Sequence, residues 1–118
     1  MIPKFRVWDK KEAKYYPVSR LSFNENGVDC VGIMKQDLYY YELTDCDLEM
    51  WTGLKDKNGK EIYEGDLITN KWRKGGKPHP VIFKDGCFGG TYDELFYPLW
   101  REVQDQIEVV GNIHEVIK

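Results

Sequence analysis

Cysteine, proline and long hydrophobic runs are all scarce in this chain. The 118 residues include three cysteines and five prolines. Cys30, Cys46 and Cys87 are widely spaced and odd in number, which predicts free thiols rather than a disulfide framework and is typical of a reducing cytoplasm. No segment reaches the ~18 apolar residues of a membrane-spanning helix, and the charged opening MIPKFRVWDKKEAK lacks the apolar core of a secretory signal. We therefore expect a cytoplasmic protein that does not associate with membranes.

The motifs of common enzymatic chemistries are also missing. No cysteine pair has metal-ligand spacing, and His79 and His114 are far apart in sequence, so no metal is expected. There is no GxSxG motif, and no cysteine lies beside a histidine or a basic residue that would lower its pKa. The glycines of Arg73–Lys77 lack the spacing of a phosphate-binding loop. These absences predict a protein that is not an enzyme, with no catalytic residue and no cofactor.

Composition indicates a folded chain with an aromatic surface. Hydrophobic residues make up 42% and charged residues 31%, which is typical of a globular domain rather than a disordered one. Aromatic residues reach 14%, which favours β structure and a protein-facing surface, since Tyr and Trp are frequent interface residues. The net charge of −3 excludes a global electrostatic attraction to nucleic acid but leaves room for a local basic patch.

Turn signals recur about every eight to twelve residues, the spacing of an all-β sandwich or barrel. We predict short strands with at most short helical turns, in a single domain of residues 1–118 with a soft division near 49/50. Asn58-Gly59 predicts a type I′ turn, which needs positive φ at both residues. Segment 93–100 stays open between helix and loop. Other expectations are a bulge at Gly32 and strands over Tyr15–Phe23 (bent at Pro17), Leu67–Trp72 and Ile113–Ile117.

Three blocks of sequence carry a family resemblance. They are FRVWD at Phe5–Asp9, WTGLKDKNGKEIYEGD at Trp51–Asp66, and the pair VIFKDGCF and IEVVGNIHE at Val81–Phe88 and Ile107–Glu115. In their order and spacing they resemble the YopX family of phage and prophage proteins, with His114 at a position where that family usually has tyrosine. Leu38–Leu43 and the loop after Trp72 match no pattern of the family.

The resemblance implies a mostly β pseudobarrel of two packed sheets. It also implies origin in a bacteriophage or prophage, action in the cytoplasm of the bacterial host, and self-association. It implies no activity, cofactor or catalytic residue.

A basic loop is one candidate for a binding site. Lys71, Trp72, Arg73, Lys74 and Lys77 place four cations around an aromatic ring, a combination that binds single-stranded nucleic acid on β scaffolds by stacking and phosphate contacts. Four cations in an acidic protein make few phosphate contacts. The simpler interpretation is a solvated hairpin loop with Trp72 packed inward.

The tyrosine run at Leu38–Leu43 is the other candidate. An exposed edge strand with alternating tyrosines adds to a partner's sheet through Tyr39 and Tyr41. The alternative places Tyr40 in the core and the other two on the opposite face, covering it. We predict a non-enzymatic accessory module that binds itself or a host or phage protein. The alternative function is a nucleic-acid-binding accessory factor that uses residues 71–77.

Overall fold

The chain folds into short antiparallel strands. The computed structural model describes residues 2–70, 77–92, 95–100 and 105–115, and confirms the predicted all-β fold. No helix in these ranges is long and apolar enough to cross a membrane. The strands are β1 (Phe5–Asp9), β2 (Lys14–Pro17), β3 (Arg20–Asn24), β4 (Gly27–Met34), β5 (Leu38–Glu42), β6 (Cys46–Lys55), β7 (Glu61–Tyr63), β8 (Asp66–Asn70), β9 (His79–Lys84), β10 (Cys87–Tyr92), β11 (Leu95–Pro98) and β12 (Ile107–Asn112).

These strands form three sheets, one more than the family resemblance implies, with the orders β2-β1-β6-β7, β3-β4-β5 and β11-β10-β9-β8-β12. Contacts divide the chain into an N-terminal unit, Ile2–Met50, and a C-terminal unit that starts at Trp51. Strand β6 runs through this boundary: its first half pairs with β1 and its second half with β7. The single-domain expectation stays a prediction.

In the N-terminal unit, two sheets enclose an apolar core. Its buried residues come from β1, β4, β5 and the start of β6: Val7, Val31, Ile33, Tyr41 and Cys46. The single strand predicted over Tyr15–Phe23 is wrong, because β2 ends at Pro17 and β3 starts in another sheet at Arg20. The bulge predicted at Gly32 is wrong too. The register shifts between Ser22 and Phe23 instead, and Gly32 lies opposite Tyr40 in a regular ladder.

The C-terminal unit has a second core, built from Ile62, Ile68, Val81, Ile107 and Val109. Segment 95–98, which the sequence left open between helix and loop, is strand β11, while residues 93 and 94 lie outside the described ranges. The predicted strand over Ile113–Ile117 is wrong for residues 113–115, which form a turn and a bend; residues 116 and 117 lie outside the described ranges. Strand β8 ends at Asn70, and the rest of the strand predicted over Leu67–Trp72 also lies outside them.

The described residues with positive φ are five glycines together with Ala13 and Asp85. At Asp85-Gly86 both φ angles are positive, at 51° and 84°, and the flanking Lys84 and Cys87 are paired, so this two-residue loop is the type I′ hairpin turn. At Asn58-Gly59 only the glycine has positive φ, at 82°. The type I′ turn predicted there is therefore wrong.

The buried carboxylate of Asp56 explains that difference. Its Oδ1 accepts hydrogen bonds from the backbone N–H groups of Asn58 at 2.8 Å and Lys60 at 2.9 Å. Its Oδ2 accepts a third from the N–H of Val109 at 3.0 Å. Burial raises the pKa of Asp56, but the backbone hydrogen bonds from Val109, Lys60 and Asn58 outweigh burial, and the net pKa is lowered. One side chain thus shapes the loop and ties it to β12.

Replacing Asp56 with Asn tests this role. The amide turns an N–H₂ group toward at least one backbone donor, which leaves a buried N–H group without an acceptor. We expect Asp56→Asn to lower the free energy of unfolding by about 1–3 kcal/mol in urea denaturation. The matched control is Asp85→Asn, at an exposed turn residue whose positive φ asparagine tolerates. Equal stability of the two variants would contradict the role of Asp56.

The same carboxylate predicts a pH dependence. A carboxyl group with a lowered folded-state pKa contributes stability that is present above its unfolded pKa of about 3.9 and is lost as pH falls through the folded pKa. The stability gap between wild type and Asp56→Asn should therefore be largest near pH 7. It should shrink as pH falls below about 4, because the unfolded chain takes up a proton there that the folded carboxylate, with its lowered pKa, does not. A gap that is the same at pH 7 and pH 3 in urea denaturation would argue against a charged Asp56.

Candidate functional site

Most of the basic loop predicted to bind nucleic acid lies outside the described residues. This applies to Lys71, Trp72, Arg73 and Lys74, whereas Lys77 is described and exposed. Nucleic-acid binding by this loop therefore stays a prediction. The carbonyl oxygen of Lys77 lies 3.3 Å from Nδ1 of the buried His79.

The exposure of the β5 tyrosines agrees only in part with the sequence prediction. Tyr41 is 4% exposed, so the expectation that it lies on the surface is wrong. Tyr40 is 49% exposed, so the alternative that it faces the core is wrong as well. Of the predicted pair Tyr39 and Tyr41, only Tyr39 lies on the surface, at 48% exposure. Alternation along the strand explains the pattern, because Tyr39 and Tyr41 share the core-side face and Tyr40 points to the other.

Tyr40 lies on the outer face of sheet β3-β4-β5. It is paired with Gly32, and a Cβ atom at Gly32 would lie 3.0 Å from Cε1 of the Tyr40 ring. The glycine therefore makes room for the ring to lie across β4. The exposed side of the ring, with Met34 at 58% exposure on the same face, gives this outer face an apolar patch next to the exposed Arg20, which also pairs with Gly32.

A buried carboxylate on β1 holds Tyr41 in the core. The Tyr41 hydroxyl donates a 2.6 Å hydrogen bond to Oδ2 of Asp9, which is itself 4% exposed. Oδ1 of Asp9 accepts the backbone N–H groups of Lys11 at 2.9 Å and Glu12 at 2.7 Å. Burial raises the pKa of Asp9, but these three hydrogen bonds more than offset it and the net pKa is lowered. Burial and the neighbouring Asp9 carboxylate raise the pKa of Tyr41.

The ammonium group of Lys35 lies beside this pair, in what we call the Lys35 box. The box consists of Lys35 surrounded by the carboxylates of Glu12 and Asp9 and the rings of Tyr16 and Tyr39. Lys35 Nζ lies 2.9 Å from Glu12 Oε1 and 4.0 Å from Asp9 Oδ2. It lies 4.7 Å from the Tyr39 ring centroid and 5.3 Å from that of Tyr16, both within cation–π range. The Tyr16 hydroxyl also donates to Glu12.

Hydrogen bonding moves the pKa values of Glu12 and Lys35 further from neutral pH. Hydrogen bonds from Tyr16 and Lys35 lower the pKa of Glu12, and the hydrogen bond to Glu12 raises the pKa of Lys35. General acid–base catalysis works best with a pKa near the working pH. The box is therefore suited to binding charge rather than to transferring protons.

Two grooves meet at the box. One, with a volume of about 760 Å³, is lined by the β1–β2 turn, Lys35, Tyr39, Tyr41 and residues 44–45. The other, of about 520 Å³, is lined by Tyr16 and the β4–β5 turn from Lys35 to Tyr39. Lys35 and Tyr39 line both grooves and separate them.

Sequence reasoning missed Asp9, Glu12 and Lys35 as site residues. In the sequence, Asp9–Lys14 has the pattern of a charged reversal and Lys35–Asp37 that of a turn. Only Asp9 could have been recognised from its local sequence. An aspartate before a reversal commonly accepts hydrogen bonds from the backbone N–H groups of the second and third residues after it. No local pattern brings Lys35 to Glu12.

The cysteines do not add a reactive centre to this site. All three are thiols rather than disulfides, and burial raises the pKa of Cys46, the one in the N-terminal core. Among the described residues, no group of three or more His, Cys, Asp or Glu side chains is placed to hold a metal ion.

A second polar network lies in the C-terminal unit. The Tyr97 hydroxyl is within hydrogen-bond reach of His79 Nε2 and accepts from Asn70 Nδ2 at 3.2 Å. A Cβ atom at Gly90 would lie 2.7 Å from the Tyr97 hydroxyl and 2.8 Å from the His79 ring. Glycine is thus required where these side chains cross β10.

Comparisons with known proteins agree with the fold. A protein from Enterococcus faecalis, EF1440, is similar at 27% identity and a TM-score of 0.66, with 97% of this chain and 94% of that chain covered. Protein YopX from Bacillus subtilis is similar in fold at 24% identity and a TM-score of 0.65, with 94% and 92% covered. A search of curated proteins gave no match. The family model described as YopX protein matches residues 4–116, and the chain therefore belongs to the YopX protein family.

Proposed function

We propose that this chain is a non-enzymatic accessory module of phage or prophage origin that works in the bacterial cytoplasm by binding protein, in the first place a second copy of itself. The observation that carries the proposal is the unprotected edge of strand β5. The phage origin rests on the family resemblance. Three free thiols support a reducing compartment, and the pKa shifts in the Lys35 box favour charge binding over proton transfer.

Among the described strands, β5 differs from every other sheet edge. Natural proteins protect edge strands with proline, lysine, bulges or short length. Strand β2 contains Lys14 and ends in Pro17, and β11 ends in Pro98. Strands β3 and β12 have register shifts, and β7 has three residues. Strand β5, with the sequence LYYYE, has none of these features, and its one charged residue is Glu42 at its end.

The surface around β5 is apolar enough to bury. Tyr39 and Tyr40 are about half exposed, at 48% and 49%, and Met34 and Leu43 are 58% and 45% exposed. Tyrosine is enriched in the centre of protein interfaces because it combines a large apolar ring with a hydrogen-bonding hydroxyl. An added strand would satisfy the backbone groups of the edge and cover these side chains together.

The sequence of β5 is compatible with pairing to its own copy. In an antiparallel pair centred on Tyr40, the two Tyr40 residues lie opposite each other, and Tyr39 lies opposite Tyr41 of the second copy. Glu42 then lies opposite Leu38. Like charges directly opposite each other would destabilise the pair, and this register brings none together. A two-fold axis through Tyr40 therefore gives a closed, self-complementary interface.

A charge exchange at Tyr40 tests this interface. Tyr40→Lys places two ammonium groups opposite each other across the two-fold axis, and Tyr40→Glu places two carboxylates there. Each variant alone should associate at least about tenfold more weakly than wild type, a loss of about 1.4 kcal/mol. The mass measured by light scattering should then fall toward the 13.9 kDa of one chain. An equal mixture of the two variants should associate again, because opposite charges now face each other.

Two controls separate the interface from folding. Tyr40→Phe keeps the ring across Gly32 and should retain the wild-type mass. Phe83→Lys places the same charge on another exposed aromatic residue, 52% exposed in the C-terminal unit, and should also retain it. Circular dichroism checks that every variant is folded. A wild-type protein of single-chain mass, or an unchanged mass for Tyr40→Lys, would overturn the proposal.

A further inference from the structure

The Lys35 box is built like a recognition site for an ammonium group, and the chain supplies the ammonium itself. Aromatic ring faces attract cations through their quadrupole, and a carboxylate accepts a short charge-assisted hydrogen bond from an ammonium. Both kinds of contact converge on Lys35 Nζ, from Tyr16 and Tyr39 and from Glu12.

We propose that this box is a binding site for a primary alkylammonium group, which Lys35 fills in the free protein and which a lysine side chain of a protein partner can fill in its place. The inference deepens the proposed protein-binding function, since it names a chemical group that the partner presents. It does not depend on self-association through β5.

Charge favours a cation in the box. Two carboxylates, Asp9 and Glu12, face one ammonium group there. Asp9 is held ionised by backbone hydrogen bonds from the β1–β2 turn, which persist when Lys35 leaves. A box without Lys35 therefore contains two negative charges and two aromatic rings, with Lys14 Nζ still 4.8 Å from the Tyr16 ring centroid. A cation from outside lowers the repulsion between the two carboxylates.

Lys35 is placed to leave without unfolding the sheet. It lies in the turn between β4 and β5, and its side chain is 32% exposed. Its backbone N–H donates to the Asp37 carbonyl within the turn at 3.0 Å, so rotation of the side chain breaks no ladder hydrogen bond. The losses are the ion pairs with Glu12 and Asp9 and the ring contacts, and an incoming ammonium replaces them.

The two grooves give a second lysine access to the box. Each opens onto Lys35 and Tyr39, and the one of smaller volume is bordered by Tyr16 and Leu38, against which a lysine stem of four methylene groups packs. A primary ammonium fits better than a quaternary one, because the hydrogen bond to Glu12 needs an N–H donor. Arginine presents a planar fork of donors, for which one carboxylate oxygen beside a ring is a poor match.

The variant Lys35→Ala removes the ammonium group from the box, and n-butylammonium then serves as the probe for a binding site. In Lys35→Ala, n-butylammonium chloride should bind saturably at millimolar concentrations, seen as NMR shifts of the Tyr16 and Tyr39 ring signals and as a rise in Tm. The isosteric neutral probe n-butanol and tetramethylammonium chloride at equal ionic strength should bind at least about tenfold more weakly, a difference of about 1.4 kcal/mol. Adding Glu12→Gln should abolish the response. The matched control Lys60→Ala, at an exposed lysine outside the N-terminal unit, should not respond.

Wild-type protein provides a test that needs no variant. With ¹⁵N-labelled lysine in the protein, unlabelled Nα-acetyl-lysine amide should displace Lys35 and move its Nζ signal toward that of a free lysine. The analogue acetylated at Nε should leave the signal unchanged. Equal responses to butylammonium and butanol in a folded Lys35→Ala protein, or a Lys35 signal that Nα-acetyl-lysine amide does not move, would overturn the proposal. Either result would leave the self-association of β5 untouched.

Discussion

The hydrogen bond between Tyr41 and Asp9 decides which face of β5 points into the protein. Side chains of a strand alternate between its two faces, so a shift of one residue would exchange the buried and exposed sets. Three consecutive tyrosines are nearly equivalent in hydrophobicity and do not choose between these registers by themselves. A buried acceptor at Asp9, 2.6 Å from the Tyr41 hydroxyl, favours one register. It fixes Tyr40 on the outer face and Tyr39 beside Lys35, and the candidate site depends on both placements.

A second buried aspartate has a comparable role in the C-terminal unit. Asp56 accepts three backbone N–H groups, as Asp9 accepts two together with a hydroxyl. Both are nearly free of solvent, at 6% and 4% exposure. Buried carboxylates that accept several hydrogen bonds stay ionised and rigid. In each unit, an aspartate at the start of a reversal links that turn to a distant strand.

The fold class and most turns could be predicted from local sequence chemistry. The features that could not be predicted depend on contacts between residues far apart in the sequence. Asp85-Gly86 forms the turn its dipeptide predicts, because both residues tolerate positive φ. Asn58-Gly59 has the same signal and differs, because Asp56 organises that loop together with Val109, 53 positions along the chain. Tyr41 was misplaced for the same reason, since its partner Asp9 is 32 positions away. The Lys35 box joins the turns of two hairpins, which no sequence spacing reveals.

The proposed pairing of the β5 edge with another copy of the chain can be measured by amide hydrogen exchange. Exchange of the amides of Leu38–Glu42 would be measured at a low and a high protein concentration. Edge amides that gain a partner strand exchange more slowly, so we expect protection in β5 that rises with concentration while exchange in the core strand β4 stays unchanged. Identical exchange of β5 at both concentrations, with the protein shown to associate, would place the interface elsewhere and exclude pairing through β5.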